Sequence, residues 1–183
     1  MLELNDILIE GDARTLSMMA QSAQLTCLTG STPEHRRRLL MAMMGLESVV
    51  SGFVSIDGEP LTPHTARELR RLMAYAPERL VAEGEVYTYA PPTVQELFML
   101  RANRSLPISN GILTQEMRNT GCPGDSGQWL AVAVLLNKPI LLCDMPPAEA
   151  ADYLRRQAGG GRTVIVSTDT RRLLEAADNV VEV

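Results

Sequence analysis

Between positions 25 and 46 the chain reads LTCLTGSTPEHRRRLLMAMMGL, and the residues able to do chemistry crowd one turn: Gly30, Ser31, Thr32, His35, Arg36 and Arg37. Residues 25–28 form a short apolar run that reads as a buried strand, and Gly30 ends it. Ser31 and Thr32 supply N-cap oxygens just ahead of Pro33, a residue favoured at the first helical position. A helix then carries Leu39, Leu40, Met43 and Met44 on one face and stops before Gly45. The free N–H groups and dipole of such a helix start attract anions, so phosphate binding is the chemistry this geometry suggests.

The side chains do not complete that chemistry. A phosphate-binding loop reads G-x-x-x-x-G-K-[ST], in which glycines let the backbone wrap the phosphates, the lysine reaches them and the hydroxyl holds Mg²⁺. Counted from Gly30, His35 stands at the second glycine, Arg36 at the lysine and Arg37 at the hydroxyl. Arg36 still offers a cation to a phosphate. Arg37 offers only donors and a positive charge, so it cannot ligate a metal.

The rest of the chain supplies the elements that would position this turn. Residues 1–9 read as a strand before a turn at Gly11-Asp12, 16–23 suit strand and helix equally, and 52–58 form a strand closed by Asp57-Gly58. A helix is expected over 63–72 and a short strand in LMAYA, closed by Pro77. Residues 81–92 read as a surface loop, and Thr93-Val94-Gln95-Glu96 is a capping box opening a helix to about residue 102. The polar stretch 104–120 gives no clear pattern. Beyond it come an apolar run AVAVLL, a buried strand ILLCD ending at Asp144, a helix over 146–157 stopped by Gly159-Gly160-Gly161, a strand at 163–167, a helix over 171–177 and a last strand at 179–183. Strands alternating with helices imply an α/β fold with a largely parallel sheet flanked by helices.

Composition narrows the function classes. A chain of 183 residues with 45% hydrophobic residues suits one domain with a sizeable core. A net charge of −5 argues against nucleic acid as a partner. Three cysteines, Cys27, Cys122 and Cys143, without C-x-x-C spacing suggest neither a disulfide framework nor a zinc site, and fit a reducing compartment. Acidic residues stand where a signal peptide would be basic, and no apolar run approaches the roughly 20 residues of a membrane helix, so no direct membrane insertion is expected.

In their order these segments resemble the nucleotide-binding subunit of ATP-binding cassette (ABC) transporters over nearly the whole chain. LLMAMMGLESVVSGFVSIDGEPL resembles that family's segment after its phosphate loop, LMAYAPE the strand leading to its Q-loop, PILLCDMPP its Walker B strand and RTVIVSTDTRRLLEAADNVVEV its H-loop region. The resemblance implies a P-loop NTPase-like fold, one cassette-like domain over 1–183, with about 79–127 as a reduced helical subdomain carrying the signature. It sets Arg36 at the phosphate-loop lysine, Arg37 at the metal-binding hydroxyl, Glu78 at the Q-loop glutamine, Met145 at the catalytic glutamate and Asp169 at the switch histidine. Gly30 and Asp144 keep the family's identity. The signature falls on 121–125 or, in a shifted register, 124–128, the D-loop aspartate falls on Ala151, and no aromatic residue precedes Phe53 to stack on adenine.

The resemblance therefore implies a catalytically degenerate cassette: no catalytic or metal-binding residues, no cofactor expected, and a structural or regulatory role beside a membrane permease subunit or another cassette. The location implied is cytoplasmic, peripheral to the inner membrane through a partner. Two alternatives stand: an ATP- and Mg-binding subunit with unconventional contacts through Arg36 and weak ATPase activity, and an interaction adaptor unrelated to transport. The convergence of the family's positions on the γ-phosphate predicts that Arg36 or Arg37 pairs with Asp144, Glu78 or Asp169. Against it stand plainer readings: Asp144 as a strand-end cap, Glu78 and Asp169 as surface acids, His35 and His64 as solvated side chains, and the Met41–Met44 run as core.

Overall fold

A computed structural model of the chain describes residues 1–78, 103, 105, 106 and 108–183, with Asp125 described only in its backbone. The expected loop at 81–92 and the capping-box helix at 93–102 lie outside the described residues, as does part of the expected helical subdomain.

Two sheets share one core. The larger is parallel throughout, with β6 (Met73–Ala76), β7 (Ile140–Asp144), β8 (Thr163–Ser167), β3 (Leu25–Thr29) and β9 (Asn179–Glu182) side by side in that order. The smaller is antiparallel, with β2 (Leu16–Ala20), β1 (Leu2–Leu8), β4 (Ser51–Ile56) and β5 (Glu59–Pro60). Strands β7 and β8 are buried at every position, as befits a parallel sheet covered on both faces. Their side chains alternate between two apolar clusters: Ile140 and Leu142 join α1 (Pro33–Met43) and β1, whereas Leu141 and Cys143 face the other side. That second cluster holds Leu130 and Val134 of α4 (Gly124–Leu135) and Tyr153 and Leu154 of α5 (Ala151–Gly159).

Local rules account for most element ends. Thr32 caps α1 by accepting the His35 N–H at 3.2 Å, Pro33 takes the first position, and Gly45 follows the helix at φ +65°. The ambiguous stretch 16–23 is strand only over β2, where Met18 and Ala20 face the core. The helix expected over 63–72 is shorter: α2 spans Ala66–Leu69 and tightens to a 3-10 turn at Arg70–Leu72. Within the polar stretch that gave no pattern lies α3 (Asn110–Thr120), capped by Ser109, which accepts the Ile112 N–H, and ended by Gly121 at φ +71°. A short helix, α6 (Arg171–Ala176), leads into β9. Among the described residues no helix is long and apolar enough to cross a membrane.

Candidate functional site

The candidate site lies where the C-terminal ends of β3, β6, β7 and β8 meet the first turns of α1, the crevice position at which parallel α/β sheets place ligands. β3 delivers Gly30, which takes φ +95°, a conformation open to glycine and strained for any other residue. α1 delivers Arg36 and Arg37, 100° apart on the helix, and the ends of β6, β7 and β8 deliver Glu78, Asp144 and Asp169.

These residues converge as ion pairs. Arg37 Nε lies 2.6 Å from Asp144 Oδ2, and its Nη2 lies 3.0 Å from Glu78 Oε2. Glu34, one turn back on the same helix, stands 3.5 Å from Arg37 Nη1. Arg36 is 0% exposed, donating Nη2 to Asp169 and Nη1 to the carbonyl of Ser31, while its Nε is buried without a partner among the described residues. Arg38 points elsewhere, to Glu47 and the carbonyl of Glu10. The three arginines fan around the helix as the 100° spacing requires, and two of them reach the same crevice.

Asp144 is the buried anion of the cluster. Only 1% exposed, it accepts the Ser167 hydroxyl on Oδ1 at 2.7 Å, and on Oδ2 the Tyr75 hydroxyl at 3.2 Å besides Arg37. The hydrogen bond to Asp144 raises the Arg37 pKa above its ordinary value. Burial, and then the Asp144 charge, raise that of Tyr75. Met145, next along the chain, takes φ +44°, an uncommon backbone state for a non-glycine residue, held by donation of its N–H to Ser167.

Glu78 and Asp169 are 40% and 55% exposed, so they are surface acids on their outer sides and ion-pair partners on their inner ones. His35 departs from the expected solvated reading: its ring bridges Ser31 Oγ at 2.9 Å and Asp12 Oδ1 at 2.7 Å. The i, i+4 spacing of Ser31 and His35 at a helix start was a legible signal for half of that bridge. Asp12 lies in the β1–β2 connection and arrives only through the fold. His64 is exposed.

The donor set does not suit a magnesium ion. Both oxygens of Asp144 accept protein donors, and where the resemblance puts the metal-binding hydroxyl α1 carries the Arg37 guanidinium, which cannot ligate a cation. Among the described residues no group of three or more His, Cys, Asp or Glu side chains could hold a metal ion.

No protein-family model and no curated protein sequence matches the chain. Solved structures do. An ATP-binding subunit of an ABC transporter superposes with a TM-score of 0.73 at 19% identity, covering 100% of this chain and 85% of that one. The ATP-binding cassette MJ0796, in a dimeric post-hydrolysis state bound to ADP and Pi, gives 0.73 at 14% identity over 100% of this chain and 94% of its own. The protein cbiO1 from Clostridium perfringens, part of the ABC transporter complex cbiONQ, gives 0.69 at 14% over 99% and 83%. The chain has the α/β fold of ABC transporter ATP-binding cassettes.

Proposed function

We propose that this chain is a cassette-like domain that has given up ATP hydrolysis and acts as a structural or regulatory partner in an ABC-type complex. The observation that carries this reading is the Arg37–Asp144–Glu78 cluster: a guanidinium holds the carboxylates at two positions that, by the resemblance, converge on the γ-phosphate and its magnesium. Phosphoryl transfer depends on positioned charge, and losing one such group commonly lowers the rate by about 10²-fold or more. Here the lysine, the metal-binding hydroxyl, the glutamate after Asp144 and the switch histidine are replaced by Arg36, Arg37, Met145 and Asp169 together. In this reading 1–183 form one cassette-like unit with 79–127 as a reduced helical segment, no nucleotide or metal is required, and the partners are a permease subunit or a second cassette that holds the protein peripheral to the membrane.

A second reading rests on one atom. The Nε of Arg36, buried and without a partner among the described residues, and the glycine turn beside it favour a phosphate contact, and with it a subunit that binds Mg·ATP by unconventional means. Thermal melting separates the two. A ligand at 100 times its dissociation constant stabilises by about 2.7 kcal/mol, a shift of about 5 to 10 °C for a domain of this size. The first reading expects no shift with millimolar Mg·ATP and no phosphate release above a blank. A shift of several degrees that is lost in Arg36→Ala transfers the conclusion to the second.

A further inference from the structure

We propose that Ser31, His35 and Asp12 form a nucleophilic relay in which Ser31 attacks small carboxylic esters. The inference is independent of the reading above, because it uses none of Arg37, Asp144, Glu78 or Asp169. Asp12 Oδ1 accepts from His35 Nε2 at 2.7 Å, which in the neutral ring leaves Nδ1 bare to accept the Ser31 hydroxyl at 2.9 Å. A hydroxyl on a base that a carboxylate orients is the arrangement that activates a serine.

Each member is held in place by the fold. Asp12 also accepts the Ile9 N–H on Oδ2 at 3.0 Å, so its carboxylate is fixed to its own turn. The His35 N–H is taken by the cap Thr32, and the Ser31 carbonyl by buried Arg36. His35 and Asp12 line a cleft of about 360 Å³, with Ala13, Leu16 and Leu39 as apolar lining and Arg14, Glu182 and Val183 beside them; Ser31, half-buried, is outside that lining and joins it through its bond to the His35 ring. That volume lies within the range that holds a small ligand. α1 begins two residues after Ser31; Pro33 carries no N–H and those of His35 and Arg36 go to Thr32, so the first turn offers the Glu34 N–H and the helix dipole to negative charge developing on the ester oxygen.

The chemistry balances without a cofactor. Ser31 Oγ bonds to the ester carbonyl carbon as its proton passes to His35 Nδ1; the carbon–oxygen bond to the alcohol then breaks, and the alcohol leaves with that proton. Water, deprotonated by His35, attacks the acyl-serine, releasing the carboxylic acid and returning the proton to Ser31. Ser31 is the nucleophile, His35 the base, and Asp12 a positioning residue.

The test uses the full chain with p-nitrophenyl acetate and with a fluorophosphonate label mapped by peptide mass spectrometry. The expected result is a burst of nitrophenol and a label on Ser31, both absent from Ser31→Ala. A positioned base contributes about 10²- to 10⁴-fold, so His35→Gln lowers the labelling rate by at least tenfold. Asp12→Asn lowers kcat with KM unchanged, a split that a merely structural role would not produce; it also serves as the second variant if His35→Gln does not fold. No label on Ser31, or labelling as fast in the folded variants as in the parent chain, overturns the proposal.

Discussion

Arg37 Nε sits 2.6 Å from the Oδ2 of Asp144, a carboxylate that is 1% exposed and whose other side-chain donors among the described residues are the hydroxyls of Ser167 and Tyr75. Removing one member of a buried pair typically costs about 3 to 5 kcal/mol, and the partial exposure of Arg37 reduces that toward about 2 kcal/mol. Arg37→Ala is therefore expected to lower stability by about 2 kcal/mol in urea unfolding. Arg37→Lys should recover part of it, keeping the charge without the guanidinium fork that reaches Asp144 and Glu78 together. An Arg37→Ala loss below about 0.5 kcal/mol would place the pair among solvated surface contacts.

Two tyrosines should resist ionisation. Burial raises the pKa of Tyr75 above 10, reinforced by the Asp144 charge, and burial raises that of Tyr153, reinforced by its hydrogen bond to Glu116. A raised folded pKa contributes stability that is complete below the unfolded value and lost as pH rises through the folded one. Absorbance of tyrosinate should thus show these two groups titrating only as the circular dichroism signal collapses, at a pH well above about 10. Tyr75→Phe and Tyr153→Phe should each remove one such late step.

The fold was legible where burial writes a pattern. ILLCD and TVIVS are apolar throughout because β7 and β8 are covered on both faces, and residues 1–9 declared a strand because β1 packs on one side. α3 was illegible for the converse reason: of its eleven residues only Thr120 is buried, so no apolar stripe marks it, and its polar side chains bond to each other and to α5. The pairing of Arg36 and Arg37 with acids more than 40 positions away was visible only through the order of segments, since composition assigns such charges to solvent. His35 shows the limit of that rule. Its spacing from Ser31 was on the sequence, but its second partner comes from a separate turn.

Gly52 offers a test of backbone rather than side chain. It takes φ +79° in β4, opposite the register shift in β1, and a Cβ there would stand 2.3 Å from the Asp6 carbonyl oxygen. The neighbour is backbone and cannot rotate away. Gly52→Ala is expected to cost at least about 2 kcal/mol, combining strained φ with a steric clash. Gly58→Ala, at φ +83° with open space around it, should cost only the conformational part, about 1 kcal/mol. Equal melting temperatures for the two variants would contradict the close approach of β4 to β1.

Asp178 joins the two ends of the fold, and acid should undo that bond. Its Oδ2 accepts the Leu25 N–H at 2.8 Å at the start of β3 and pairs with Arg155 of α5. The backbone hydrogen bond first, and the Arg155 contact second, hold its pKa below the ordinary 3.8. With a depressed folded pKa, the stabilisation is present above the unfolded value and fades as pH falls through the folded one. Asp178→Asn keeps an oxygen for Leu25 but loses the charge, so at neutral pH it should be less stable by about 1 kcal/mol, the scale of a charge-assisted bond at a partly exposed site. Below about pH 4 the parent chain gains a proton and the variant has none to gain, so the two unfolding curves should converge. Arg155→Ala should reproduce a smaller, salt-sensitive share of the loss, because that guanidinium is 50% exposed and added salt screens it. If the gap between the parent and Asp178→Asn stays constant from neutral pH into acid, the carboxylate charge does not hold β3 to this end of the sheet.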